Sequence, residues 1–352
     1  MTELLRKEIS SLAEYTLAQH AYRIKLNQNE NPFELADTIK QEILDRLAKQ
    51  DWSRYPAFFP DTQMRDLAKF VGWDRDGILI GNGSNELLQL ILTAVLERGK
   101  TVVLSQPTFT LYGILARGLA ADVRNIAMKK DLTFDVEEIV KNGRDESVRL
   151  ILLCSPNNPT GTFLPRSDLL RILNATEALV VLDEAYVHFA PESQLELLKK
   201  YDRLVILQTF SKAMGAAGLR LGYGLMSPSL AHDLNKLKLP YNVNIFSLTA
   251  LEVLLRRWAE IKGWIDVLKK ERSRLHVRLQ EFKGIKVYPS AANFLLFETF
   301  VKPPSQVFSE LLERGILIRD VSSYPMLQNA MRVSIGTPAE NDEFISALKE
   351  IV

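Results

Sequence analysis

Seven short runs of apolar and β-branched residues, separated by segments of helical length, occupy the larger part of this 352-residue chain. The runs lie at 78–80, 101–104, 123–126, 149–154, 179–182, 204–207 and 221–225. Strands buried on both faces of a parallel sheet show such continuous apolar runs, because helices cover both faces. The pattern predicts a three-layer α/β/α large domain over residues 31–245, with a mostly parallel seven-stranded sheet.

The sequence changes character after Pro240. Residues 248–282 are almost continuous helix formers, and Gly263 is expected to divide them into two helices. The remainder predicts, in order, two strands, a helix, two strands and a helix (285–288, 293–298, 304–314, 316–319, 331–336, 338–351). We therefore expect a small α+β C-terminal domain over residues 246–352.

Residues 1–30 are expected to form an N-terminal arm. Leu4, Leu5, Ile9 and Leu12 are spaced to lie on one face of a short amphipathic helix. The arm carries no secretory h-region, and no run of 18 apolar residues occurs anywhere in the chain. These features predict a cytoplasmic protein with no membrane partner.

Composition excludes several other classes of protein. The 44 basic and 43 acidic residues give a net charge of +1, which argues against a nucleic-acid partner. The single cysteine, Cys154, excludes a disulfide framework and is expected to be a buried thiol at a strand end. No two of the four histidines are spaced i, i+4, so we expect no metal site.

The segment 209–220, TFSKAMGAAGLR, follows the sixth apolar run directly. Open α/β sheets bind ligands at the carboxyl ends of their strands, so this segment is well placed to line a site. Its hydroxyls and Arg220 suit an anionic phosphate, and a partly dehydrated Lys212 can attack a carbonyl carbon. Taken alone, a Ser-Lys pair in a glycine-containing turn is more often a solvated surface turn.

Three further motifs follow predicted strands. Asp183 in LVVLDEAY could partner a protonated pyridine nitrogen, although a helix N-cap is the commoner use of such an aspartate. SPNNPTG (155–161) is a rigid loop or a plain turn. GNGSNE (81–86) could present helix N–H groups to an anion. Its sixth residue is Glu86, which speaks against a dinucleotide-binding fingerprint, and no GxxxxGK[ST] phosphate loop is present.

Together and in this order, the motifs resemble the fold-type I pyridoxal phosphate (PLP) aminotransferases of class I/II, over essentially the whole chain. Within that family they are most similar to the histidinol-phosphate aminotransferases. The resemblance rests on LNQNENPFE (26–34), RYP (54–56), SPNNPTG, DEAY, FSKAMGAAGLRLGYG (210–224), LIRD (317–320) and MRVSIGT (331–337). It implies a PLP-dependent transaminase of histidine biosynthesis that exchanges an amino group between L-histidinol phosphate and 2-oxoglutarate by a ping-pong mechanism.

The resemblance also implies residue roles. Lys212 would bond the cofactor aldehyde and move the substrate's Cα proton, while Asp183 would hold the proton of the cofactor's ring nitrogen. Tyr186 and Asn158 would hydrogen-bond the ring's phenolic oxygen, and Phe109 would stack on the ring. The phosphate would be held by Ser84, Asn85, Thr209, Ser211 and Arg220, with Tyr55 reaching it from the neighbouring subunit of a homodimer.

The substrate side of the implied site consists of two arginines and two shared residues. Arg332 would bind an α-carboxylate and Arg319 the distal anion, with Asn158 and Tyr55 also touching substrate. Arg319 has an ordinary alternative, a salt bridge to Asp320 or another nearby carboxylate. Whether Tyr22 of the shortened arm closes over the substrate is left open.

Three other functions are alternatives. An aromatic aminotransferase and a PLP decarboxylase of a phosphorylated amino acid, such as threonine phosphate, would use nearly the same site. A regulator that senses an amine would carry a DNA-binding domain ahead of this module. Only about 26 residues precede LNQNENP, so we expect no such domain.

Overall fold

The computed structural model describes residues 4–16 and 18–352. The strands are β1 (Ile24–Lys25), β2 (Ile78–Asn82), β3 (Thr101–Gln106), β4 (Asp122–Ala127), β5 (Val148–Cys154), β6 (Leu179–Asp183), β7 (Leu204–Thr209), β8 (Leu221–Leu225), β9 (Ile285–Val287), β10 (Phe294–Thr299), β11 (Ile316–Leu317), β12 (Arg319–Asp320) and β13 (Ala330–Ser334). The helices are α1 (Lys7–Ser10), α2 (Asp37–Leu47), α3 (Asp61–Val71), α4 (Ser84–Val95), α5 (Leu111–Gly118), α6 (Val136–Gly143), α7 (Arg166–Ala175), α8 (Pro228–Asn235), α9 (Ile245–Arg256), α10 (Trp258–Gln280), α11 (Pro304–Glu313) and α12 (Pro338–Ile351).

A seven-stranded sheet in the order β2-β8-β7-β6-β5-β3-β4 forms the centre of the molecule. Neighbouring strands from β7 to β4 run parallel, and β8 runs antiparallel to both β2 and β7. Every residue of β7 and β8 is buried, as expected for strands with helices on both faces. Each predicted strand of this sheet is present, so the predicted α/β fold class is confirmed.

A four-stranded antiparallel sheet in the order β12-β13-β10-β9 lies in the C-terminal part of the chain. Helices α10, α11 and α12 pack around it, and Phe294 and Phe344 are fully buried in their shared core. The Thr337 side chain and Glu340 begin α12 with a capping box. This unit is the predicted small α+β region.

The long helical segment is interrupted at Arg257, and the predicted break at Gly263 is wrong. Helix α9 ends at Arg256 and α10 begins at Trp258, with Gly263 inside α10. An exposed glycine costs a helix only about 1 kcal/mol, and burial of Ile261 and Ile265 on the opposite face offsets that cost. The expected helix break therefore does not form.

Helix α9 contributes to the core of the large sheet, whereas most of the buried apolar residues of α10 belong to the core of the small sheet. Leu251 of α9 belongs to the core of the large sheet, where α9 packs against α2 and α3. Leu268 and Leu275 of α10 belong to the core of the small sheet. The division into an arm (1–30), a large domain (31–245) and a small domain (246–352) stays a prediction.

The predicted N-terminal amphipathic helix is wrong in extent. Helix α1 has four residues, none of them buried, and Leu4 and Leu5 are exposed. Short helices are stable only where an apolar face packs on a core. Further along the arm, β1 pairs in parallel with β11 and joins this segment to the C-terminal region. Among the described residues, no helix combines the length and the apolar composition needed to cross a bilayer.

Candidate active site

A cavity of about 430 Å³ opens where β5, β6 and β7 end. The end of the large sheet supplies one wall, and residues 27–30 together with Arg319 and Arg332 supply the other. All of the predicted site residues except Tyr55 line this cavity: Ser84, Asn85, Phe109, Asn158, Asp183, Tyr186, Thr209, Ser211, Lys212, Arg220, Arg319 and Arg332. The ends of parallel strands converge on one sheet edge, which explains why motifs distant in sequence meet here.

Asp183 is the last residue of β6 and lies buried at the base of the cavity. One carboxylate oxygen accepts a hydrogen bond from the Tyr112 hydroxyl (2.7 Å), and the other accepts from the Ala185 N–H (3.0 Å). Burial raises the pKa of Asp183, while these donors and the charge of Lys212 oppose that rise. The next helical turn begins only after Tyr186, so the alternative role of Asp183 as a helix N-cap does not apply.

Lys212 lies in the turn after β7, and its Nζ donates to the Gln28 carbonyl (2.9 Å). Burial lowers its pKa to about 8, and the positive charges of Arg332 and Arg220 act in the same direction. An ordinary lysine is almost wholly protonated at neutral pH. The environment of Lys212 therefore supplies much more of the nucleophilic neutral amine.

One end of the cavity is built for an anion. Ser84 and Asn85 occupy the first turn of α4, a twelve-residue helix whose N-cap, Gly83, provides no side-chain cap. The Ser211 hydroxyl lies 3.0 Å from the Thr209 hydroxyl and 3.3 Å from Arg220 Nη1. A helix N-terminus, two hydroxyls and a guanidinium form a suitable donor set for a phosphate.

Glycines allow these groups to approach one another closely. A Cβ at Gly83, which has φ +80°, would lie 2.5 Å from the Arg220 guanidinium. A Cβ at Gly222 would lie 2.2 Å from the Ser84 backbone nitrogen. Neither position can carry a side chain without displacing the anion-binding groups.

Arg319 and Arg332 are direct cross-strand partners in the antiparallel β12–β13 pair. Within residues 4–16 and 18–352, neither guanidinium forms a salt bridge, while Asp320 accepts from the Ser322 N–H instead. The alternative Arg319–Asp320 pair is therefore not present in the described part of the chain. Like charges directly opposite each other are destabilising, so this arrangement is suited to anions bound between them.

Arg332 is buried and held in place by three groups. It donates to the Asn27 carbonyl (2.6 Å) and to the Asn158 amide oxygen, and it lies 5.3 Å from the Phe294 ring centroid. Its Nε is buried with no hydrogen-bond partner among the described residues. An unpaired buried donor at the cavity wall is available to a ligand.

Aromatic and sulfur-containing side chains complete the lining. Phe109 makes edge contacts with Tyr112 and Tyr15, at centroid separations of 5.5 and 5.9 Å. Cys154 ends β5, and burial raises the pKa of its thiol, so it is the predicted inert strand-end cysteine.

Tyr55 and Tyr22 lie outside the cavity of this single chain. The Tyr55 side chain is 80% exposed and stacks on Tyr241 with a centroid separation of 4.5 Å. Tyr22 is also exposed. The predicted contact of Tyr55 with phosphate and substrate is therefore not made within one chain, and Tyr15, rather than Tyr22, lines the cavity.

Sequence reasoning gave no role to five tyrosine and asparagine residues of the lining: Tyr15, Asn27, Asn29, Tyr112 and Tyr324. Tyr112 could have been found, because it lies three residues after Phe109 on the first turn of α5. Asn29 lies within LNQNENPFE (26–34), but its contacts to Tyr186 and Ser334 join residues far apart in sequence. No local pattern indicates such contacts.

The model of the family "Aminotransferase class I and II" matches residues 22–348. The chain belongs to this family. It is 38% identical over 329 residues to the histidinol-phosphate aminotransferase of Chlorobaculum tepidum, covering 93% of this chain and 94% of the relative.

Two solved structures extend the comparison. The histidinol-phosphate aminotransferase of Sinorhizobium meliloti, in complex with pyridoxal-5'-phosphate, superimposes with a TM-score of 0.88 at 26% identity, covering 99% of this chain and 97% of that one. L-threonine-O-3-phosphate decarboxylase from Porphyromonas gingivalis gives 0.81 at 25% identity, covering 93% and 99%. Members of this aminotransferase family and a decarboxylase thus share the fold of this chain.

Proposed function

We propose that this chain is a PLP-dependent aminotransferase that exchanges an amino group between L-histidinol phosphate and 2-oxoglutarate in histidine biosynthesis. The observation that carries the proposal is the Arg319–Arg332 pair, two arginines at opposite positions of neighbouring strands that both line the lysine-containing cavity. The similarity to histidinol-phosphate aminotransferases of other organisms supports the same substrate.

The donor set of the cavity fits PLP. The anion end suits the cofactor's phosphate, and Asp183 at the base suits a protonated ring nitrogen. Tyr186 and Asn158 would contact the ring's phenolic oxygen, and Phe109 would cover the ring. When bound, PLP withdraws electrons from the substrate's Cα and so makes its C–H bond acidic.

The residues of this chain then have separate tasks. Lys212 Nζ, once free of the cofactor, would take the proton from the substrate's Cα, which its lowered pKa allows near neutral pH. Asp183 would keep the proton on the ring nitrogen. Asn158 and the Asn27 carbonyl would fix Arg332, so that a bound anion meets a preorganised guanidinium.

The two arginines account for the two substrates. Glutamate and 2-oxoglutarate carry an α-carboxylate and a distal carboxylate. Histidinol phosphate has no α-carboxylate, and its anionic group is a phosphate ester three bonds from the reacting carbon, as far away as the distal carboxylate of glutamate. Arg319 would bind either the distal carboxylate or the phosphate through two N–H groups of its guanidinium fork, and Arg332 would bind the α-carboxylate. Both partners can then occupy one pocket in turn, as ping-pong exchange requires.

Replacing Arg319 by leucine should lower kcat/KM for both histidinol phosphate and glutamate and leave kcat/KM for phenylalanine unchanged. The lost charge-assisted contact should cost about 2–4 kcal/mol of transition-state binding, or roughly 30- to 1000-fold in kcat/KM. Arg332→Leu should instead lower kcat/KM for glutamate and phenylalanine, which carry an α-carboxylate, more than kcat/KM for histidinol phosphate. Single-turnover rates with each substrate, and with threonine phosphate, measure these effects.

Arg314→Leu is the matched control, because Arg314 is an exposed arginine that pairs with Glu350 outside the cavity. Its kcat/KM values should stay near wild type. Unchanged turnover of histidinol phosphate by Arg319→Leu would favour the aromatic aminotransferase. Release of carbon dioxide from threonine phosphate at a higher kcat/KM than transamination of histidinol phosphate would favour the decarboxylase.

A homodimer with shared sites is also proposed, together with a cytoplasmic location. Exposed aromatic side chains cluster around Tyr55: Phe58 contacts both Phe59 and Tyr241, and Tyr55 stacks on Tyr241. An apolar patch of this kind is typical of protein–protein contacts. A second copy of the chain seated on it would remove the patch from water and bring Tyr55 to the neighbouring cavity.

Subunit mixing tests the shared site. Lys212→Ala and a Tyr55-disrupted variant should each be nearly inactive, and exchange between them should restore part of the activity. In a mixed dimer, one site carries both defects and the other carries neither. Failure to recover activity despite proven exchange, or a fully active monomer in sedimentation, would contradict the shared site.

A further inference from the structure

Asn29 lies at the junction between the large sheet and the small sheet, and all of its polar groups are paired. It is 1% exposed and has a left-handed backbone with φ +56°. Its N–H donates to the Ser334 hydroxyl (2.8 Å), and its carbonyl accepts from the Asn293 amide (3.0 Å). Its side chain accepts from the Ser334 hydroxyl (3.1 Å) and donates to the Tyr186 hydroxyl (3.0 Å).

The bonds of Ser334 fix which end of the Asn29 amide faces Tyr186. The Ser334 oxygen accepts from the Asn29 N–H, and its own hydrogen, which has no other acceptor among the described residues, goes to the Asn29 Oδ1. The Nδ2 group, which can only donate, is therefore the one that faces the Tyr186 oxygen. The phenol oxygen of Tyr186 acts as an acceptor in this bond.

A phenol that accepts a hydrogen bond still has its own hydrogen to donate. Among the described residues, Tyr186 makes no hydrogen bond as a donor, and its side chain lines the cavity. A hydrogen bond accepted on one side of the oxygen leaves the O–H hydrogen to point elsewhere. The open direction is the cavity.

We propose that Asn29 is a positioning residue that directs the Tyr186 O–H hydrogen into the cavity, toward an anionic oxygen of the bound cofactor. The identity of that acceptor rests on the proposed function, whereas the orientation of the phenol does not. The Asn29 side chain is in turn oriented by Ser334 of β13. A residue of the small sheet therefore determines the direction in which Tyr186, three residues after the end of β6, donates its hydrogen.

The backbone at residue 29 restricts the useful substitutions. Asn, Asp and Gly tolerate a positive φ, whereas other side chains are strained there. Aspartate preserves the shape but cannot donate to Tyr186, so the phenol would turn and donate to the new carboxylate. Glycine preserves the backbone and removes the side chain. Comparing the two variants therefore distinguishes loss of the hydrogen bond to Tyr186 from a change in the backbone of this segment.

The first test uses the apoprotein and does not depend on the proposed function. In protein labelled with ¹³C at tyrosine Cζ, the Tyr186 signal is identified by its loss in Tyr186→Phe. Asn29→Asp should move this signal downfield, toward the phenolate value, because the phenol becomes a donor to a carboxylate. An unmoved signal in the folded variant would overturn the proposal.

The second test follows the absorbance of bound PLP against pH. Asn29→Asp should raise the midpoint of this pH titration by about one pH unit. The reason is that the cofactor's anionic oxygen loses the hydrogen bond from the Tyr186 O–H, which favours the protonated form of the cofactor. Asn29→Gly should raise it by less. Asn31→Asp is the matched control, since it places a carboxylate two residues along while its partner is the Ala213 carbonyl.

A double-mutant cycle decides whether Asn29 acts through Tyr186. In a Tyr186→Phe background, Asn29→Asp should shift the midpoint no further. If Asn29→Asp shifts the midpoint equally in wild type and in Tyr186→Phe, the effect is one of charge in general and the proposal is overturned. An equally large shift of the midpoint in Asn31→Asp would overturn it for the same reason. If Asn29→Asp does not fold, an unchanged midpoint in Asn29→Gly overturns it. Failure to bind PLP at all contradicts the proposed function alone, because the apoprotein measurement still stands.

Discussion

Lys212→Ala is expected to reduce transamination by about 10⁴-fold or more, the largest effect of any single substitution considered. Lys212 lines the cavity, and in the proposed function it is both the amine that bonds the cofactor aldehyde and the base that acts on the substrate's Cα. Its contact with the Gln28 carbonyl and its pKa of about 8 prepare it for both tasks. Turnover of histidinol phosphate and 2-oxoglutarate measures the loss.

A second readout separates loss of the amine from loss of binding. After borohydride treatment of protein mixed with PLP, the wild-type peptide containing Lys212 should gain the mass of the cofactor, and Lys212→Ala should not. Lys212→Arg should be equally inactive, because a guanidinium stays protonated. Lys269→Ala removes a half-buried lysine outside the cavity and should keep wild-type activity. More than about 1% residual turnover in Lys212→Ala would exclude the assigned role.

Asp183→Asn is expected to leave PLP bound while slowing removal of the Cα proton by roughly 10²- to 10⁴-fold. The amide can still accept from the Tyr112 hydroxyl, and the anion end of the cavity is untouched. A neutral amide cannot hold the proton of the ring nitrogen, however, and loss of one partner of a buried charge pair costs about 3–5 kcal/mol. Exchange of the substrate's Cα hydrogen with deuterated water measures this step directly.

Glu184→Gln is the matched control for that substitution. Glu184 is the adjacent buried carboxyl group, and burial raises its pKa to about 7. It accepts from the Gln194 N–H and the Gln208 amide, both at 2.7 Å, and does not line the cavity. The same chemical change one residue along should therefore leave Cα exchange within a few-fold of wild type. Near-normal exchange of the substrate's Cα hydrogen in Asp183→Asn would contradict the proposal that Asp183 holds the proton of the cofactor's ring nitrogen.

The large sheet could be predicted because its strands are buried on both faces. Runs such as 149–154 and 204–207 have a composition that few exposed segments share, and they became β5 and β7. The predictions of a long N-terminal helix and of a helix break at Gly263 were wrong for a common reason. Both predictions used local spacing or propensity, whereas helix stability there depends on the presence or absence of a tertiary core.

The cavity residues could be predicted where they follow strands, as Asp183 and Lys212 do. The parallel strands bring such positions to one edge without any further information. The second layer of contacts could not be predicted in this way. Asn29 and Ser334 are separated by 305 residues, and their hydrogen bonds depend on how the two sheets meet.

The bonds between the arm and β13 also determine when the cavity can form during synthesis. Arg332 and Ser334 bind the segment that contains Asn27 and Asn29, across separations of 305 residues. These partners are synthesised 305 residues after the segment that they bind. The large sheet, which ends next to Lys212, can fold earlier. A nascent chain would then carry its reactive amine before Arg332 and Ser334 are available to close the cavity around it.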